Sequence, residues 1–137
     1  MSENEFVIKS STDHLSEVRK FIKSTAKEYG MDKNNASKVV LAVDEACTNI
    51  IKHAYNYSPS GTITIKTKLY KTKMSVTISD KGTHFNPNSV PEPDIAGSQK
   101  QKKRGGLGIF IMKKLMDDVQ FKLTGNGNEV ILVKYLT

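Results

Sequence analysis

The sequence predicts an α/β protein, and three observations predict it. Residues 38–56 repeat apolar positions at helical spacing. Residues 62–69 and 74–78 alternate in the β manner across a tight Lys71-Thr72-Lys73 turn, which reads as a hairpin with one face on the core. Residues 119–123 and 130–136 close the chain as two more strands around a Gly125-Asn126-Gly127-Asn128 turn. The 137 residues suit one domain, 1–137, large enough to build a core without disulfides or metal. Neither a repeat nor a second domain is visible.

Each element has a local reason. Phe6, Val7 and Ile8 make a short first strand. Ser11, Thr12 and Asp13 supply turn and cap chemistry ahead of a helix that carries Leu15, Val18, Phe21, Ile22 and Ala26 at helical spacing. Gly30 ends that helix and Asp32 caps the next, so the two are neighbours. The central helix places Val39, Val40, Val43, Ala46, Cys47, Ile50, Ile51 and Ala54 on one apolar arc. Its opposite arc holds Asp44, Glu45, Thr48, Asn49, Lys52 and His53. Glu45 and Asn49 are four apart, so a carboxylate and a carboxamide stack one turn above the other. A solvated outer face would look the same in isolation. The helix fades at Tyr57-Ser58-Pro59-Ser60-Gly61, a cluster of breakers.

Composition narrows the function classes. The single cysteine, Cys47, lies on the apolar arc and reads as a small buried residue, not a nucleophile. With no signal-like start and no long apolar run, a cytoplasmic protein is expected. His14, His53 and His84 show no metal-binding spacing, so zinc is not expected. The net charge of +7 suits nucleic acid, anionic lipid, phosphate ligands or an acidic protein partner. No aromatic residue is interleaved with the basic run of Lys100, Lys102, Lys103 and Arg104, which argues against a single-stranded nucleic-acid site.

After the hairpin ends at Ser79-Asp80-Lys81-Gly82, residues 86–104 show little periodicity and hold Pro87, Pro91 and Pro93. So long an insert reads either as a lid over a ligand or as a surface loop. Gly105, Gly106, Leu107 and Gly108 then precede an apolar helix that starts at Ile109. Bare backbone N–H groups at a helix start form an anion site, and Arg104 beside them adds a fork-shaped cation suited to phosphate.

Four signals thus occur in order: Glu45-x-x-x-Asn49 on a helix, Asp80-x-Gly82 at a strand end, a long insert, and Gly105-Gly106-Leu107-Gly108. This series resembles the Bergerat-type ATP-binding fold of the GHKL superfamily, and within it the small bacterial anti-sigma factors that are serine protein kinases. Segments DEACTNIIKHAY and GGLGIFIMKKLMDDV are similar to that group. The resemblance implies a two-layer α/β sandwich, with a mixed, mainly antiparallel sheet covered on one face by helices, and a mobile ATP lid over about 86–104. It implies that Asn49 holds Mg²⁺ with the phosphates, that Glu45 is the general base, and that Asp80 accepts from the adenine amino group while Gly82 lets the base approach. Arg104, Gly105, Gly106, Leu107 and Gly108 would hold the phosphates.

By the same resemblance, the expected function is that of an ATP- and Mg²⁺-dependent serine kinase. It would phosphorylate an anti-sigma-factor antagonist, sequester a sigma factor of RNA polymerase and pair as a homodimer, without contact to nucleic acid or membrane. Other readings are a nucleotide-responsive module that binds a partner without catalysis, a switch kinase in a stress-signalling complex, and a nucleic-acid binder. Where family members commonly carry Thr before the final strand, this chain has Asn128, and its lid is rich in Lys and Gln. Asn128 can still bond near the base.

Overall fold

The structure, a computed structural model, describes residues 3–85 and 100–137, with side chains for 3–85 and 108–137. Strand β1 (Glu3–Lys9) leads through a 3-10 turn (Thr12–His14) to α1 (Leu15–Glu28) and α2 (Lys33–Asn49). A π-helical turn (Ile50–Ala54) extends α2, followed by β2 (Thr62–Leu69) and β3 (Lys73–Asp80). Helix α3 (Lys100–Leu115), β4 (Asp118–Thr124) and β5 (Gly127–Tyr135) complete the described chain.

Local chemistry explains most boundaries. Ser11 Oγ accepts from the Asp13 N–H, and Asp32 Oδ1 accepts from the Asn35 N–H at 2.7 Å, so both caps named from sequence are formed. Gly30 adopts φ +85°, the left-handed conformation that closes α1. Because Asp32 is the cap, α2 starts at Lys33, one and a half turns before the apolar period becomes obvious.

The five strands form one sheet in the order β1-β2-β3-β5-β4, and every described pairing is antiparallel. The mixed sheet expected from the sequence is therefore antiparallel among the described residues. Two of its pairs, β2–β3 and β4–β5, are hairpins, which can only be antiparallel. Alternation on the strands decides the faces: Ile63, Ile65, Met74, Val76, Ile78 and Leu132 are fully buried, while Lys66 is exposed and Thr64, Ser75 and Thr77 are half-buried. Val18, Ile22, Ala26, Val39 and Val43 from α1 and α2 complete the core against that inner face. Cys47 is buried within it, and burial pushes its thiol up to about 12, so it is an inert core residue.

Two expectations are corrected. Helix α3 starts at Lys100, so Arg104, Gly105, Gly106, Leu107 and Gly108 lie inside the helix and not ahead of it. Lys, Gln and Arg are good helix formers, and the run Lys100-Gln101-Lys102-Lys103-Arg104 extends the helix backwards across the glycines. The expected lid falls at 86–104. Residues 86–99 lie outside the described residues, and the remainder is helical. The last turn is also shorter than read: Thr124 pairs with Gly127 across Gly125 and Asn126, which puts Asn128 on strand β5.

Candidate nucleotide site

Helix α2 carries the first group. Glu45 is half-buried on its polar flank, and one turn on Asn49 is 5% exposed with its Nδ2 buried and without a partner. An unpaired buried amide costs about 1–3 kcal/mol, so Asn49 is held ready for a partner that the fold does not supply. Burial raises the Glu45 pKa above its ordinary value, Asp44 raises it further, and Lys52 opposes both. A carboxyl with a raised pKa is a stronger base once ionised, which suits a proton acceptor.

Helix α3 meets this flank at Gly108. A Cβ there would lie 2.7 Å from Glu45 Oε2 and 3.7 Å from Asn49 Nδ2. Glycine is what lets the carboxylate and carboxamide close onto the α3 backbone. The structure places these three residues side by side. Arg104, Gly105, Gly106 and Leu107 belong to the same helix, but their side chains lie outside those described.

The end of β3 carries the second group. Asp80 is buried, and its Oδ1 accepts from the Gly82 N–H at 2.9 Å and from Asn128 Nδ2 at 3.0 Å. Its Oδ2 is buried with no partner. Burial raises the Asp80 pKa, although the bonds from Asn128 and Gly82 pull the other way. Gly82 is required by space: a Cβ would stand 2.5 Å from the Ala54 carbonyl oxygen.

Asn49 and Asp80 line one cavity of about 260 Å³. Its other walls are largely apolar and include Ile50, Ile78, Phe85, Met112, Phe121 and Val130. That is slightly below the common ligand-site range of roughly 300–1,000 Å³, and it suits a flat heterocycle read by one polar edge. Glu45 and Gly108 sit beside Asn49 at the cavity's margin.

The structure gives three further groups a definite place, Asn128 among them. Asn128 faces Asp80 across the β3–β5 ladder, and its amide is fully engaged: Nδ2 also donates to the Thr83 carbonyl, and Oδ1 accepts from the Phe85 N–H. Phe85 closes the cavity, with its ring 5.6 Å from that of His53. His53 has a buried Nε2 without a partner, and burial, then Lys52, lowers its pKa, which keeps it neutral at neutral pH. Only the register of β3 against β5 brings Asn128 opposite Asp80, and no local pattern reports register.

Asp80 Oδ2 is free to accept a hydrogen bond from a bound group, and Asn49 Nδ2 is free to donate one. A magnesium ion would find a hard oxygen donor in the Asn49 carboxamide. No group of three or more His, Cys, Asp or Glu residues suited to a metal occurs among the described residues.

Comparison with known proteins shows the family. Residues 8–134 match the histidine kinase-like ATPase domain. The chain is 30% identical over 128 residues to a serine-protein kinase RsbW of Listeria monocytogenes, which covers 90% of this chain and 81% of that protein. It is also 30% identical over 136 residues to the serine-protein kinase RsbW of Halalkalibacterium halodurans, covering 96% and 82%. Among solved structures, the RsbU and RsbW domains of a Mycobacterium tuberculosis protein superpose with TM-score 0.72 at 16% identity, over 99% of this chain and 33% of that one. This chain thus spans about a third of that structure. The catalytic domain of the histidine kinase ThkA superposes with TM-score 0.59 at 17% identity, over 100% and 99%.

Proposed function

The chain belongs to the histidine kinase-like ATPase family, and from that premise we propose that it is an ATP- and Mg²⁺-dependent serine protein kinase of the anti-sigma-factor type. Its protein substrate in this reading is an anti-sigma-factor antagonist, and its second partner is a sigma factor, which it keeps from RNA polymerase as a homodimer. One observation carries the proposal. A free acceptor, Asp80 Oδ2, and a free donor, Asn49 Nδ2, line one cavity, with Glu45 and Gly108 at its margin.

In this reading adenine enters the apolar cavity and gives an amino hydrogen to Asp80 Oδ2. Asn128 and the Gly82 N–H hold the other carboxylate oxygen, so Oδ2 has one orientation. The triphosphate runs past Asn49 toward α3. Magnesium, when bound, would neutralise phosphate charge, with the Asn49 carboxamide as its protein ligand. Glu45 takes the proton of an incoming serine hydroxyl while the oxygen bonds to the γ-phosphorus and ADP departs. Gly105, Gly106 and Gly108 place up to about 1 kcal/mol each of helix-breaking tendency in α3. Opening the start of that helix would hand their N–H groups, with Arg104, to the phosphates.

The test is incubation of the protein with γ-labelled ATP, Mg²⁺ and candidate antagonist proteins, with Glu45→Gln in parallel. Label on a serine that disappears in the variant is expected. ATP binding with no label on any protein would leave a nucleotide-gated partner-binding module in its place.

A further inference from the structure

The π-helical turn after Asn49 delivers one residue whose placement the nucleotide reading does not use. Tyr55 closes that turn, with its N–H donating to the Ile50 carbonyl at 3.1 Å. Its hydroxyl donates to the Thr62 carbonyl at 2.6 Å and accepts from the Lys81 N–H at 2.8 Å. The β2–β3 ladder stops one step short of these two residues, at Ile63 opposite Asp80. Thr62 and Lys81 would form the next pair, and the phenol occupies the place of their direct bond. It therefore ends the ladder and sets where the chain departs after Asp80.

Several costs are borne to put the ring there. The π turn itself is rare and is often found at functional sites. Directly after it, Asn56 (φ 49°) and Tyr57 (φ 67°) take the left-handed conformation in succession, which is unfavourable for tyrosine. Gly61 has no side chain, and a Cβ there would run into the Tyr55 ring. The same segment holds the Asp80 loop twice more: the Ala54 carbonyl accepts from the Thr83 N–H at 2.7 Å, and it is the atom that excludes a side chain at Gly82.

We infer that Tyr55 is the positioning residue of the base-reading carboxylate: through Lys81 it fixes Asp80 against the helix that carries Asn49. The inference rests on Asp80 reading the adenine amino group, as proposed above. One helix thereby sets both ends of the nucleotide site, Asn49 by its own side chain and Asp80 through the Tyr55 hydroxyl six residues later.

The experiment compares wild type with Tyr55→Phe, which keeps the ring on Gly61 and removes only the hydroxyl. Binding is measured for ATP, for inosine triphosphate, whose 6-oxo group replaces the amino group, and for inorganic tripolyphosphate. Hydrogen exchange at the Lys81 amide is followed without ligand. Expected are a loss of about five- to tenfold for ATP, within what one hydrogen bond supplies, no change for tripolyphosphate, and a reduced ATP-to-inosine-triphosphate ratio. Lys81 exchange should rise by about tenfold or more on losing its partner. Asp80→Asn should remove the same selectivity, and the double variant should lose no more than Asp80→Asn alone. An unchanged ratio in Tyr55→Phe, or an equal loss for tripolyphosphate, overturns the inference. If wild type itself fails to distinguish ATP from inosine triphosphate, it is the reading of Asp80 that fails. Unchanged Lys81 exchange in Tyr55→Phe would then still refute the latch by itself.

Discussion

At the Asp80 end of the cavity almost every polar group is already bonded, whereas beside Glu45 a donor is left unbonded and a glycine stands where a side chain would collide with the carboxylate. Asp80 Oδ1, the Gly82 N–H, both donor directions of Asn128, and the Thr83 and Phe85 N–H groups are all engaged, leaving Asp80 Oδ2 alone. Beside Glu45 there is instead a missing side chain, at Gly108, and an unpaired amide, on Asn49. A fixed acceptor selects by refusing to move. A group that must take a proton and lose it needs room and an adjustable charge. Rigidity and latitude thus divide along the cavity, and substitutions at its two ends should fail in different ways.

The sharpest contrast is expected from Glu45→Gln. Loss of a general base typically lowers turnover by about 10²–10⁴-fold, and the carboxamide keeps the shape, so ATP affinity should hold within about twofold. Single-turnover transfer and equilibrium binding measure the two quantities. Asp80→Asn should do the reverse, weakening ATP binding by about 10–100-fold. It should also stabilise the fold, because burial raises the Asp80 pKa and the ionised form is the costly one. The sign follows: a carboxyl with a raised folded pKa favours folding fully below its unfolded value and loses that contribution as pH rises through the folded value. The variant's gain in melting temperature should therefore be near zero well below pH 3.8 and should grow as pH rises from there through the raised folded value.

Gly108→Ala comes next in size. Its Cβ meets only the end of the Glu45 side chain at 2.7 Å, so the carboxylate should move and the helices should not. A fall of about tenfold in transfer is expected, with a melting temperature within about 2–4 °C of wild type, the shift that about 1 kcal/mol gives in a domain of this order. Equal losses in rate and stability would erase the distinction between the two ends. Smallest is the pH profile. Turnover should fall on acidification through a value above 4.5, because Glu45 must be ionised to accept a proton and burial with Asp44 raises its pKa. Glu45→Gln should remove that limb.

How much of this was legible in the sequence follows from the range of each interaction. The apolar arc of α2, the Asp32 cap, the Gly30 stop and the alternation of β2 and β3 depend on neighbours within a few residues, and all appear where the pattern puts them. Glu45 and Asn49 share a flank for the same reason. The start of α3 differs from the sequence expectation because the helix-forming Lys-Gln-Lys-Lys-Arg run carries the helix across the glycines that follow it. The task of Asn128 depends on strand register and on a two-residue turn at Gly125 and Asn126, and neither is carried by a local pattern. The π turn has no sequence signal at all. It makes sense only once Tyr55 is seen to need a place above Gly61.

Cys47, buried two residues after Glu45 and two before Asn49, turns the central helix into its own reporter. A sulfhydryl so enclosed can meet an alkylating reagent only when the packing around α2 opens. With a single such group in the chain, each labelled molecule records one such opening. The half-time of alkylation, compared with and without ATP, would read how firmly the nucleotide clasps α2.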